Sequence, residues 1–482
     1  MKRRIAPVLS FLLVAGCSTS RPEPVTDVPI PAQWQAADQA SAGAPIPSWN
    51  ALFDDPALEL LIREGLAANY NLEAAAARID RAMAQARIAG ADVHPQLSLS
   101  TDAGRRKQNF IGLPIPGAED RVLSNTSTSF GAGLNVSWEA DVWGRLRSAR
   151  DAARFDAEAF ALDYEAARLS LSGQIAKSWF ATIEARQQLE LAIRTRESRS
   201  ITEDRIGRRY QEGLVASLDY RLARTNTAVA ALVIERRRRQ YDLAIRQLEL
   251  LLGRYPAAQL EISSTLPEPA TGISVGLPAE VIARRPDLRA ALARASATGS
   301  RVAQARAALY PQFRLTGSAG TSTNELRDLL DGDFSVWSFF LSVVQPVFQG
   351  GRLRAGVSLA EAVEDESLAS FAQQVLEAFS EVESSLFAQE ALARQEASLV
   401  LAVENARAAQ QTAEDRYAAG LVDYLIVLES QRQAFEAESQ LLDSRRQRLV
   451  SIVDLHLALG GEPGSLETNQ PVASNAAAKE LK

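Results

Sequence analysis

Apolar positions change period several times along this chain, and the changes mark its elements. After Trp49 the pattern is helical. Asp55-Pro56 supplies an N-cap followed by proline at the first helical position, opening a short helix to about Ala68. Asn71 opens a second helix to about Val93. From His94 to Gly104 apolar and small polar residues alternate, which predicts a strand over about 94–104. A loop from Arg105 to Asn125, with Pro114 and Pro116, leads into a second alternation. There Phe130, Ala132, Leu134, Val136 and Trp138 share one face of a strand over about 126–140. Each strand has the length that a tilted strand needs to cross a bilayer. Beyond Gly144 the period becomes helical and stays so over 145–211, a rod of about 100 Å at 1.5 Å per residue. Phe155, Leu162, Leu169, Ala176 and Ile183 recur every seventh position within it, as in coiled-coil packing. A returning helix over 217–252 ends at Gly253.

The whole series then repeats. A linker over 254–285 carries Pro256, Pro267, Pro269 and Pro278. Tyr310 to Gly320 matches His94 to Gly104 at an offset of 216, and Gly351-Arg352-Leu353-Arg354 matches Gly144-Arg145-Leu146-Arg147 at an offset of 207. The difference falls in the second hairpin loop, where length is tolerated. The first structural repeat is thus 48–253 and the second 286–460, with strands over about 310–320 and 334–348 and long helices over 352–418 and 424–459. The second long helix repeats the seven-residue spacing with Ala372, Phe379, Leu386, Ala393 and Val400. Arg209-Tyr210-Gln211-Glu212-Gly213-Leu214-Val215 recurs as Arg416-Tyr417-Ala418-Ala419-Gly420-Leu421-Val422. Glycine ending a helical run is the usual left-handed C-cap, so these are two sharp hairpin tips.

Composition adds location. Lys2, Arg3 and Arg4 precede the apolar stretch Ile5 to Ala15, a secretory signal over 1–16. Val14-Ala15-Gly16-Cys17 resembles the bacterial lipobox, which implies cleavage before Cys17, lipidation of that residue and, with Ser18 following, sorting to the outer membrane. Several acyl chains make a stable anchor. Residues 17–47, rich in Pro, Ala, Ser and Gln, read as a lipidated tether, and 461–482 as a disordered tail. Losing the three leader cations takes the formal charge from −7 to −10, so nucleic acid is a poor partner. The mature segment has no apolar run long enough for a membrane-spanning helix, which leaves β-strands as the means of crossing. One Cys and two His leave little for a metal site or cofactor, and no catalytic constellation occurs. His94 and His456 read as structural.

Each repeat supplies two strands, and four strands cannot close a barrel. An open sheet edge cannot sit in hydrocarbon, so strands that span must be completed by other copies. Three copies give twelve strands. Here motifs carry a resemblance. Trp138 to Arg145, Gln345 to Arg352, Gly276-Leu277-Pro278 with Arg285-Pro286-Asp287, and Trp49 to Pro56 resemble those of outer-membrane efflux lipoproteins of the NodT type, within the TolC-like family. They run in order through nearly the whole mature chain. The resemblance implies a mainly α homotrimer with a twelve-stranded β-barrel in the outer membrane, continued by a periplasmic α-helical barrel. It implies a passive exit duct for small amphipathic compounds, not an enzyme, working with a periplasmic adaptor and an inner-membrane transporter of the resistance-nodulation-division type. Protein or peptide secretion, and a structural envelope-bridging lipoprotein, are the alternatives.

The strand hairpins leave from the ends of the long helices opposite the tips, so loops 105–125 and 321–333 should face outside. In the family such tips form the gate and dock the adaptor, a role carried here to Tyr210, Gly213, Leu214, Tyr417, Gly420 and Leu421. The glycines also fit a purely structural C-cap role. Many relatives place an Asp two positions after the second-tip glycine as an acidic ring. Here Val422 stands there and Asp423 follows, fitting either a shifted ring or the N-cap of the next helix. Arg209 and Arg416 are candidates to lock the tip through bonds to carboxylates. Arg236 to Arg239 fits a solvated helix face, and Arg105-Arg106-Lys107 fits either an exposed loop or contact with anionic lipid headgroups.

Overall fold

A computed structural model of the chain describes residues 28–36, 47–110, 122–268 and 276–461. The signal segment, Cys17, the turn of the first hairpin and the tail beyond Gly461 lie outside the described residues. Helices α1 (Trp49–Phe53), α2 (Pro56–Ala68) and α3 (Tyr70–Ala91) lead into β1 (Gln96–Phe110) and β2 (Leu123–Ala140). Then come α4 (Arg145–Gln211), α5 (Ser217–Leu251), α6 (Pro278–Arg284) and α7 (Pro286–Ala307). Strands β3 (Gln312–Thr323) and β4 (Ser335–Val344) precede α8 (Arg352–Ala418) and α9 (Tyr424–Ala458). Asp55 caps α2 by accepting from the amides of Ala57 and Leu58 at 3.0 and 3.1 Å, with Pro56 at the first position.

The four strands form one antiparallel sheet in the order β1-β2-β3-β4. Its register sorts the residues of β1, β2 and β3 by face, whereas on β4 the face of Ser338 also carries Val336, Phe340 and Val344. Leu97, Val136, Gly317 and Phe339 share one cross-strand row, and Leu99, Leu134, Ala319 and Trp337 the next. The opposite face carries the row Ser98, Asn135, Ser318 and Ser338. There Asn135 Nδ2 donates to Ser100 Oγ at 2.9 Å, and the Ser318 and Ser338 hydroxyls meet at 2.7 Å. An apolar face backed by a hydrogen-bonded polar face is the pattern of a barrel wall between lipid and water. Phe339 and Trp337 are 62% and 80% exposed, so none of the described residues covers the apolar side there.

Three expectations need correction. The first hairpin does not open into a loop at Arg105: β1 continues to Phe110, with Arg105, Arg106 and Lys107 paired to Thr128, Ser127 and Thr126. Apolar alternation stops at Ala103, but backbone pairing needs no apolar side chains. Nor are residues 28–36 a free tether. Trp34 is buried, donates from Nε1 to the Gly276 carbonyl at 2.7 Å and meets Phe379 of α8 edge-on, while Glu383 accepts the amides of Gln35 and Ala36. The described parts of the linker, 254–268 and 276–285, are also held in place. The second contains α6, and buried Glu249 holds the first by accepting the amides of Ala258, Gln259 and Leu260.

Two long pairs, α4 with α5 and α8 with α9, stand side by side, and α4 also packs on α9 and α7. The junction between β2 and α4 is tied by side-chain bonds. Glu139 accepts a two-pronged bond from Arg145, and Asp141 accepts the amides of Leu146 and Arg147, doing the capping that Gly144 (φ +77°) cannot. Trp138 Nε1 donates to the Val93 carbonyl at 2.9 Å; its counterpart Gln345 donates to the Leu309 carbonyl at 3.1 Å. The duplication therefore preserves the bond while changing the residue. At the other end of the second repeat, Arg285 joins Asp287 and Glu381 at 2.7 and 2.5 Å, tying α7 to α8.

The main core gathers Trp49, Phe53, Ile62, Trp179, Phe180 and Leu252 around α4. His456 lies beside it, buried, its ring 4.3 Å from that of Trp49 and its Nδ1 without a partner among the described residues. Burial pushes this imidazole down to about 4. Its folded value lies below its unfolded one, so its contribution is present above about pH 6.5 and is lost as pH falls towards 4. The loss should reach at most ~3 kcal/mol per chain. His456→Phe should flatten the pH dependence of the unfolding midpoint between these limits, measured by denaturant titration; an unchanged slope would remove His456 from that role.

Candidate functional site: the paired helix tips

The tips are built by the same backbone device twice. At the end of α4 the Gly213 amide donates to the Tyr210 carbonyl at 3.0 Å and the Leu214 amide to the Arg209 carbonyl at 2.8 Å. At the end of α8 the Gly420 amide donates to Tyr417 at 3.0 Å and the Leu421 amide to Arg416 at 2.9 Å. This is the Schellman arrangement, and it requires the left-handed conformation seen at Gly213 (φ +74°) and Gly420 (φ +72°). A Cβ at either position would meet no other atom within 4 Å, so the requirement is conformational, not steric crowding.

The two tips of one chain pack against each other. Ile206, Ala223, Ala413, Tyr424 and Val427 form a small buried core, with Tyr220 and Tyr417 against it. Tyr210 stacks on Tyr220 at 5.4 Å. Burial raises the Tyr424 hydroxyl to about 12 and also raises that of Tyr417, the latter helped by nearby Asp219. The Tyr417 hydroxyl is buried with no hydrogen-bond partner among the described residues. Leu214 and Leu421, by contrast, are exposed at the extremity. A cavity of 320 Å³ opens between the tips, lined by Arg205, Arg208, Arg209, Glu212, Glu414 and Tyr417 among others.

Arg209 pairs with no carboxylate among the described residues. Its Nη1 donates to the Tyr417 carbonyl oxygen at 3.2 Å and its guanidinium lies over the Tyr417 ring at 5.4 Å, a cation–π contact. Arg416 is exposed and makes no ion pair with a described residue. Asp423 occupies the N-cap position of α9, but its side chain accepts no capping bond. The duplication supplies the control, since α5 begins with Ala216 at the equivalent place. Asp423 is therefore an exposed carboxylate without a capping task. Sequence reasoning missed the aromatic pairs behind the tips; Tyr220 and Tyr424, each close after its glycine, were the available signal. Among the described residues no group of three or more His, Cys, Asp or Glu could hold a metal. Arg236 to Arg239 lie on α5 away from this site, and Arg238 pairs with Glu235 at 2.8 Å.

A four-stranded sheet with one apolar face, mounted on two helical hairpins whose tips lie at the far end, defines a channel-forming outer-membrane protein. The sequence matches the family described as Outer membrane efflux protein over residues 61–254 and 277–461, and the chain belongs to that family. It is 36% identical over 465 residues to "Pyoverdine export outer membrane protein OpmQ" of Pseudomonas putida, covering 94% of this chain and 96% of that one. It is 34% identical to "Outer membrane protein OprJ" of Pseudomonas aeruginosa, with 95% of each chain covered. The solved structure of "the outer-membrane channel OprN" superposes with a TM-score of 0.82 at 27% identity, over 91% of this chain and 99% of the other. The chain is an efflux channel of the outer membrane that extends into the periplasm.

Asp423→Ala should leave stability within about 0.5 kcal/mol, because no capping bond is lost. Gly213→Ala and Gly420→Ala should each cost about 1–2 kcal/mol of backbone strain without a clash. Hydrogen exchange at the Leu214 and Leu421 amides reads this directly; protection equal to the wild type's would mean that the tips do not depend on left-handed glycine.

Proposed function

We propose that the chain acts as a homotrimer, anchored by lipid at Cys17, and forms the passive exit duct of a tripartite pump for small amphipathic compounds. The observation that carries this reading is unequal burial at duplicated positions. On α4, Ala159 and Leu162 are buried against Ala290 and Ala293 of α7. Their counterparts on α8 are Glu366 and Ala369, and those of the two α7 alanines are Ala74 and Ala77 on α3; all four are exposed. A helix seam that is covered once within the chain and left open once calls for a second copy. The sheet makes the same demand, since β2 pairs with β3 while β1 and β4 end as open edges. Val347 and Phe348, between β4 and α8, are more than four-fifths exposed.

Three copies bring six tips together at the periplasmic end. Tyr210, Gly213, Leu214, Tyr417, Gly420 and Leu421 then form the rim that narrows the duct and receives a periplasmic adaptor. The transporter of the inner membrane, of the resistance-nodulation-division type, supplies the energy, and the duct performs no chemistry of its own. Arg209 already links the two tips of one chain through Tyr417. By analogy with the Arg209–Tyr417 contact, Arg416 would meet Tyr210 of the partner subunit, and both arginines would then hold the mouth closed. Asp423 then lines that mouth as the carboxylate available to favour cations.

Deleting the gene should sensitise cells to dyes, detergents and antibiotics; unchanged sensitivity with a missing secreted protein would replace this function with secretion. In planar bilayers, Arg209→Ala and Arg416→Ala should each raise single-channel conductance, and more so together. Asp423→Ala should lower cation preference without changing the closed state. If conductance is the same in both arginine variants, the gate lies elsewhere.

A further inference from the structure

The duplication also fixes how one chain meets the next in the barrel wall. Moving β1 by 216 positions and β2 by 207 turns the pair Leu97↔Val136 into Phe313↔Val343, which is the register found between β3 and β4. The offsets therefore carry register faithfully. Applied to the β2–β3 ladder, they turn Phe130↔Thr323 into Trp337↔Lys107, and Ala132↔Thr321 into Phe339↔Arg105, for β4 against β1 of the next copy. This step rests on the oligomeric duct proposed above.

Side-chain direction then follows from the pleat. Arg105 and Lys107 continue the series Leu97, Leu99, Thr101 and Ala103, so they lie on the apolar face, immediately beyond its apolar stretch. Arg106 points to the polar face. The three cations make no ion pair with a described residue, and all are exposed. Beside them on the lipid side would stand Trp337 and Phe339, both exposed, while Phe340, the third aromatic residue of β4, lies on the other face. Aromatic residues at the end of an apolar band mark the headgroup level of a membrane, and cations there face phosphate.

We propose that Arg105 and Lys107 of one chain, with Phe339 and Trp337 of its neighbour, form a site at each subunit junction for the phosphate of an outer-leaflet lipid headgroup. The aromatic rings sit at the acyl boundary and can also face the cations. The charge matches the ligand, and the apolar rows below it match the ligand's chains. Sites made by two subunits would bind lipid only in the closed barrel.

Two measurements test this. Cys17 is the chain's only cysteine, so paired substitutions report cleanly. Lys107→Cys with Trp337→Cys should cross-link neighbouring subunits, whereas Arg105→Cys with Trp337→Cys should not; the reverse result would shift the register and overturn the pairing. Trimers in phosphatidylcholine nanodiscs doped with phosphatidic acid should retain that lipid in native mass spectrometry. R105Q/K107Q should reduce its retention roughly ten- to thirtyfold, the scale of two basic side chains at a phosphate surface, and Arg106→Gln should not. Equal retention in R105Q/K107Q and wild type would overturn the lipid site even if the cross-link forms. Wild-type protein that forms no oligomer at all would instead overturn the duct itself, and size measurement separates that result from the other two.

Discussion

The rest of the structure depends on the backbone of four strands that cannot satisfy itself. Within the chain β2 and β3 are paired on both sides, while β1 and β4 each present a row of amide and carbonyl groups to whatever lies beside them. In hydrocarbon each unpaired group costs several kcal/mol, more than any packing gain on the sheet could offset. The edges must be closed, and the apolar face, with Trp337 and Phe339 uncovered, must meet lipid. Because α4 follows β2 through the Glu139–Arg145 junction and α8 follows β4, closure of the sheet also sets the spacing of these two long helices. The tips then inherit their arrangement from a constraint acting at the other end of a rod of about 100 Å.

Much of this was legible in the sequence because the signals are periodic or conformational. Heptad spacing located α4 and α8, alternation located the strand cores, and Gly213 and Gly420 located the tips. What escaped was decided by partners distant in sequence. β1 runs on past Ala103 because its ladder with β2 persists through polar residues, where alternation carries no information. Trp34, in a stretch composed like a tether, is buried because Gly276 and Phe379 lie hundreds of positions away. Arg209 meets a carbonyl oxygen and an aromatic face rather than a carboxylate, and spacing alone could not choose among these acceptors.

The two repeats also differ where their surroundings differ. Trp143 stacks on Tyr310 at 4.9 Å and donates to the Pro311 carbonyl, a contact between repeats inside one chain. At the corresponding place after β4 the residue is Gly350, with φ +58°. Likewise Asp141, which caps α4, corresponds to Phe348, which is exposed. A duplicated chain has two kinds of junction, one covalently guaranteed and one that must assemble from separate molecules. The first can rely on a directional stack and specific hydrogen bonds because its partners always arrive together.

In the trimer proposed above, the second junction favours contacts that tolerate approach from solution. Small residues such as Ala74, Ala77 and Ala369 allow helices to come close without matching protrusions, and an exposed apolar residue such as Phe348 gains from burial in any of several orientations. Where exact geometry is still needed, at the strand edges, the backbone itself provides it, since a ladder is strongest in one register whose faces agree with lipid and water. Divergence between the halves thus separates positions that specify the fold from positions that specify assembly. Substitution at Trp143 or Asp141 acts on the first, and, in the trimer proposed above, substitution at Phe348 or Ala74 acts on the second.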